Sequence, residues 1–270
     1  VRGKLQLAQD EVEAAIESFE AALAIEPAHA EARAGLGQAR LLCGQWAAGW
    51  PLYEARRETV TSPVRRLPLP EWQGEDCRGR TLLVHSEQGM GDVILFCSCL
   101  ADLQASGARL VVDAPRRFMS LFQRSFSQAE VVCLEDIVDP TVWLATRTDI
   151  DLQVPMGSLP RWLRAQEHEL PRAAGFLLAD PQRVAHWRGV LAGDGSPVIG
   201  ICWRGGLAIT GKHQRSLTAE ALASTIAATG ARLVSLQHGD TREELEDLAA
   251  RRGLQFAARL DGYSDFDELA

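Results

Sequence analysis

The chain has 270 residues, 46% of them hydrophobic and 24% charged, the balance of a globular protein with one large or two modest domains. Its net charge of −8 excludes a broad basic surface for nucleic acid. No run of about 18 apolar residues is present to span a bilayer. The six cysteines lack any CxxC pair and read as buried reduced thiols, which suits a cytoplasmic protein. The chain opens at Val1 and closes within the helix-like "SDFDELA", so both ends are expected to be cut.

Residues 1–60 are rich in Ala, Glu and Leu and carry no strand signal. Gly3 repeats as Gly37, Ala15 as Gly49 and Phe19 as Tyr53, a spacing of 34 residues. Small residues where helices approach, with an aromatic where they pack, predict helical hairpins like tetratricopeptide repeats. The second copy drifts: Arg56 stands where a small residue is expected, and Pro51 interrupts its second helix. These helices supply no acid–base pair, so they are expected to dock a protein partner and to stand apart from any catalytic cleft. A plain helical hairpin is the simpler alternative.

Residues 61–80, "TSPVRRLPLPEWQGEDCRGR", read as a linker. From Thr81 strands and helices alternate, which predicts parallel βαβ units with ligands gathered at the C-terminal strand ends. "TLLVH", "ARLVVDAP", "AEVVCLED" and "DIDLQVP" are the expected strands of a domain over 81–190, with helices over 93–106 and 116–126. A second series over 191–270 contains "PVIGICW", "ARLVSLQ" and a third strand in "LQFAARL". The fold class is therefore α/β: helical hairpins, then two Rossmann-like parallel-sheet domains, the second of them short of strands.

The stretch "SEQGMGDVILF" joins the first strand to a helix. It lacks the GxGxxG of dinucleotide binders, which disfavours a Rossmann oxidoreductase. It also lacks the GKS or GKT ending of a P-loop. Gly89 and Gly91 shape the turn, and a helix start favours an anion. Asp92 is either a helix cap or a carboxylate placed as a general base, and local sequence leaves both open. A second loop, "RGGLAITGKHQRS", gathers Lys212, Arg215 and Ser216 before a helix. Cations there suit a diphosphate, while a solvated basic loop is the alternative. No His, Asp or Glu cluster has metal-ligand spacing.

Together "HSEQGMGDVILF", "DLQVPMGSLPRWL", "GICWRGG", "RSLTAEAL" and "VSLQHGD" resemble, in order over Glu71 to Ala270, a bacterial glycosyltransferase group. These are tetratricopeptide-repeat glycosyltransferases whose catalytic part is similar to the ADP-heptose:lipopolysaccharide heptosyltransferases (glycosyltransferase family nine). The resemblance implies a GT-B pair of domains and an inverting, metal-independent transfer from a nucleotide-diphosphate sugar, with no cofactor. It implies Asp92 as general base and Arg215 as the donor-phosphate cation, with Lys212 as alternate. Ser216, Gln237 and Glu243 complete the expected nucleotide-sugar set. The acceptor is a glycan, lipopolysaccharide or protein hydroxyl, and the expected location is the cytoplasm or the inner face of the membrane. A further family segment, like "DT..AHLAGALG", lies beyond "DFDELA", so this chain alone is expected to be inactive. The other reading is a non-catalytic scaffold of helical repeats and a degenerate α/β part.

Overall fold

The computed structural model describes residues 1–59, 65–171, 175–193, 195–205, 215–226, 229–260 and 266–270. The chain divides into two units, Val1–Met119 with Phe126–Phe176 and Ser120–Ser125 with Leu177–Ala270.

The first unit opens with helices α1 (Arg2–Ala8), α2 (Val12–Ile25), α3 (Ala30–Leu42) and α4 (Trp46–Tyr53), each packed on the next. Ala15, Phe19, Ala32 and Leu36 form their core. The 34-residue repeat is visible in how the glycines are used. A Cβ on Gly3 would lie 2.8 Å from the Phe19 ring, whereas one on Gly37 would lie 2.6 Å from the Tyr53 backbone nitrogen. In the second copy Gly37 and Gly49 both lack Cβ atoms, so α3 and α4 approach to backbone contact. Pro51 has no N–H for the helical ladder. Two residues after it α4 ends and tightens into the 3-10 turn Glu54–Glu58.

Strands β1 (Thr81–His85), β2 (Arg109–Asp113), β3 (Glu130–Val132) and β4 (Leu152–Pro155) form a parallel sheet ordered β3-β2-β1-β4. Helices α5 (Met90–Phe96) and α6 (Leu100–Ala105) follow β1, α7 (Met119–Ser125) follows β2, and α8 (Pro140–Thr146) follows β3. The chain moves outward from β1 to β3 and returns to pair β4 with β1. The gap between the exits of β1 and β4 is therefore the switch point where such sheets hold ligands.

Two helices differ from the sequence reading. The helix expected over 93–106 begins at Met90 and breaks at Cys97–Cys99. There the Cys97 thiol and Ser98 hydroxyl bond to the Ile94 and Leu95 carbonyls, which competes with the helical ladder. Helix α8, not expected from sequence, has Pro140 in its first turn. Asp139 caps it, accepting from the Thr141 N–H at 2.8 Å.

The described part of the Pro- and Arg-rich stretch is bound to the sheet. Pro70 and Trp72 exchange backbone hydrogen bonds with Gln153 of β4, each at 2.9 Å. Trp72 meets Trp162 of α9 (Pro160–Leu163) edge to face.

The second unit contains α10 (Pro181–Leu191), β5 (Val198–Ile201), α11 (Ala219–Ile226), β6 (Arg232–Ser235), α12 (Arg242–Arg252) and β7 (Phe256–Arg259). Its sheet is parallel in the order β5-β6-β7, so the strand expected in "LQFAARL" forms. Ile201, Trp203, Leu233, Leu245 and Leu248 lie in its core. Helix α10 falls in this unit, so the division lies at Phe176 and Leu177, before the helix. The chain is α/β, with helical hairpins preceding two Rossmann-like parallel-sheet units.

Gly37→Ala tests the close approach of α3 and α4, because its methyl has only rigid backbone to displace. A loss of about 1–3 kcal/mol and a lower Tm are expected in a thermal melt. An unchanged Tm would show that the helices are not held this tightly.

Candidate functional site

All five residues of β1 are buried, and the strand delivers the loop Ser86–Gly89 to the switch point. Asp113, 1% exposed at the end of β2, anchors its start. Its Oδ2 accepts from the Ser86 N–H at 3.1 Å and the Ser86 hydroxyl at 2.7 Å, while Oδ1 accepts from the Leu134 N–H at 2.9 Å. Arg65 adds an ion pair to the same carboxylate at 2.9 Å. One acid at a strand end thus ties the exits of β1, β2 and β3 together.

Gly89 is the N-cap of α5, and Asp92 is its third helical residue. The Asp92 Oδ2 accepts from the Gly89 N–H at 3.1 Å, the half of a capping box that a glycine cap permits. Oδ1 receives no hydrogen bond from a described residue. A Cβ on Gly91 would meet nothing within 4 Å, so this glycine leaves open space at the helix start. The structure brings Gly89, Gly91 and Asp92 into one turn, with one carboxylate oxygen engaged in holding it.

The helical hairpins reach this loop, contrary to the expectation that they stand apart from it. The Tyr53 hydroxyl donates to Gln88 Oε1 at 3.1 Å. Arg56, 6% exposed, pairs through Nη2 with Glu87 and donates to the Ser158 hydroxyl at 3.0 Å. Its Nη1 donates to Glu54 at 2.7 Å, and Ser158 completes the ring by donating to Glu54 at 2.9 Å. Burial opposes the Arg56 charge, but Glu87 and Glu54 outweigh it and raise the pKa. The tight turn after Pro51 places Arg56 here. A Cβ on Gly157, after β4, would lie 2.6 Å from Glu87 Oε1 and 3.1 Å from Arg56 Nη2, so the network fills the space a side chain would take. The sequence signal was present: Arg56 breaks the small-residue rule of its repeat.

Beside the loop lies a cavity of about 360 Å³, lined by Arg65, Ser86, Glu87, Gln88, Met90, Pro115 and Glu135. It mixes a cation, two carboxylates, an amide and a hydroxyl, a donor and acceptor set suited to a polyhydroxylated ligand. Asp92 is not in its wall, although Met90, two residues earlier in the first turn of α5, is.

In the second unit Gln237 is 1% exposed. Its carbonyl oxygen accepts from the Trp203 and Arg204 N–H groups at 3.0 and 2.7 Å, and its amide donates to the Arg204 carbonyl at 3.0 Å. Gln237 thus fixes the backbone after β5, and both ends of its amide are engaged. Arg215 is exposed and Ser216 half-buried, just ahead of α11. Glu243 is exposed, whereas the adjacent Glu244 pairs with Arg204 at 3.0 Å. No hydrogen bond or ion pair joins Arg215 or Glu243 to another described residue. Lys212 lies outside the described residues.

A larger cavity, about 620 Å³, lies within the second unit between α10 and the sheet, lined mainly by apolar side chains such as Trp187, Leu191, Val234 and Leu236. None of the candidate residues lines it. At its rim Glu268 is bound by both Arg183 and Trp187. Among the described residues no group of three or more His, Cys, Asp or Glu is placed to hold a metal ion. No helix among them is long and apolar enough to cross a membrane.

No protein-family model matches the chain. Protein FlbA of Caulobacter vibrioides is 30% identical over 279 residues, covering 96% of this chain and 46% of FlbA. The chain therefore spans about half the length of that curated relative. Among solved structures, a mutant of the Thermobaculum terrenum O-GlcNAc transferase is 17% identical over 97% of this chain and 62% of its own. The TM-score between the two is 0.33.

His85, at the base of the loop, provides a test of the packing beneath the site. It is 1% exposed, and its Nε2–H donates to Gln153 Oε1 at 2.8 Å. Burial pushes its pKa down to about 4. The unfolded chain, with a histidine pKa near 6.5, binds the extra proton first, so stability is full above about pH 6.5 and falls toward pH 4. The expected loss over that window is about 3 kcal/mol. Denaturant unfolding at pH 7 and pH 4.5 should show this slope in the parent and a flatter one in His85→Gln. Equal slopes would place the acid sensitivity elsewhere.

Proposed function

We propose that the chain is the catalytic part of an inverting, metal-independent glycosyltransferase. It moves a sugar from a nucleotide-diphosphate sugar to a hydroxyl of a glycan, lipopolysaccharide or protein. The observation that carries this reading is the turn leaving β1, where Asp92 keeps one oxygen on the Gly89 N–H and the other without a described partner. Asp92 takes the proton of the acceptor hydroxyl as its oxygen attacks the anomeric carbon. The bond to the donor diphosphate breaks with its electron pair leaving on the phosphate oxygen. Arg215 and Lys212 meet that charge. Ser216 and Glu243 contact the donor in this reading, and Gln237 acts indirectly, by holding Trp203 and Arg204. The helical hairpins dock a protein partner, and the protein works in the cytoplasm or against the inner membrane face.

One observation favours a second reading, a non-catalytic scaffold: Asp92 is engaged in capping and lies outside the loop-side cavity. Asp92→Asn separates the two. The amide oxygen still accepts from the Gly89 N–H, so Tm should stay within a few degrees. An amide cannot take a proton, so release of nucleoside diphosphate from a panel of nucleotide-diphosphate sugars, by the full-length protein, should fall by about 10²–10⁴-fold. A rate equal to the parent's would reduce Asp92 to a cap.

Arg215→Ala should weaken donor binding by about 1.5–3 kcal/mol, the range for a hydrogen bond to a charged group. Lys212→Ala should do less, and the reverse order in a calorimetric titration would move the phosphate contact to Lys212.

A further inference from the structure

The helical hairpins touch the glycine loop at two consecutive residues, and both contacts are polar and non-local. Tyr53 holds Gln88, and Arg56 holds Glu87 from 31 positions earlier in the chain. The same Arg56 reaches Ser158 across 102 positions, so one guanidinium bridges the exits of β1 and β4 at the switch point. Glu87 is two residues from Gly89, whose N–H holds the Asp92 carboxylate. A displacement of Glu87 therefore carries to Gly89 and from there to Asp92.

We infer that Arg56, supplied by the helical hairpins, is a positioning residue for the Glu87–Asp92 loop, so that the seating of the hairpins sets where Asp92 stands. The link to turnover rests on the proposed transferase reading, whereas the positioning itself does not. Two features separate this from an ordinary surface ion pair. The pair is shielded from water, with side-chain exposures of 7% for Arg56 and 5% for Glu87. Among the described residues, every acceptor of the guanidinium's two terminal nitrogens belongs to the loop, to the β4 exit or to the hairpin's own end. Lysine keeps the charge but has no planar fork to serve Glu87, Ser158 and Glu54 together. The loop is therefore expected to loosen in Arg56→Lys even where the fold persists.

The test is hydrogen–deuterium exchange on the full-length protein, comparing peptides over residues 86–92 with those over α1–α3, alongside steady-state kinetics. Arg56→Lys should raise loop exchange by about tenfold and leave the α1–α3 peptides at parental protection. Glu87→Gln, altered on the loop side, should give the same pattern, and it carries the test if Arg56→Lys does not fold. Under the transferase reading both variants lower kcat with donor KM unchanged, the signature of a displaced Asp92 rather than a lost donor contact. Raised loop exchange in a protein that turns over no nucleotide sugar would support the positioning role and sink the transferase reading. Parental loop exchange in both variants would overturn the positioning role, whatever the turnover.

Discussion

The buried pair of Arg56 and Glu87 is the interaction on which the first unit's architecture depends. A guanidinium at 6% exposure has lost most of its water, and only close oxygens compensate for that loss. Glu87, Glu54 and Ser158 supply them from three separate stretches of chain. The network needs all of its members, since a charge stripped of its partner in a dry site costs several kcal/mol. With the Arg57–Glu71 ion pair at 2.7 Å and the Trp50 indole N–H on the Arg164 carbonyl at 2.8 Å, the network joins the hairpins and the first sheet in one unit, although they differ in composition and hydrophobic period.

The same physical device recurs at each strand end that matters. Asp113 uses a carboxylate to tie the exits of β1 and β3 to that of β2. In the second unit Gln237 does the equivalent with a neutral amide, joining the exit of β6 to the backbone after β5. In both units a buried polar side chain fixes a loop that the sheet alone would leave without partners. Rigid loops at the C-terminal ends of parallel strands are what chemistry on such a fold requires. Asp92 gains its place from this framework, through Ser86, Glu87 and the Gly89 N–H.

Much of the scaffold was legible in the sequence because its signals are local. The apolar runs "TLLVH" and "RLVVD" are buried strands bounded by polar or glycine-containing turns, and they pair in parallel as their spacing through helices requires. The 34-residue glycine spacing appeared in the structure as two close helix approaches. What stayed hidden was non-local. Nothing near Arg56 in sequence marks Glu87, 31 positions on, as its partner. The break at Cys97–Cys99 turns on side chains bonding backward to carbonyls, which helical periodicity does not register. Asp139 followed by Pro140 is a readable helix start, although the helix it opens has only 7 residues. For the site, the glycine turn and its acid were legible, whereas the supporting residues Tyr53, Arg65 and Asp113 were not.

The coupling of Arg56 to Glu87 is measured most directly by a double-mutant cycle on the folding stability of Arg56→Met, Glu87→Met and the double variant. Each single change leaves one buried charge without its main counter-ion, while the double change removes both. If the pair holds the hairpins to the loop, the double variant is more stable than the sum of the singles by about 1–3 kcal/mol. Additivity within about 0.5 kcal/mol would contradict it, because the hairpins would then not be held to the loop through this pair.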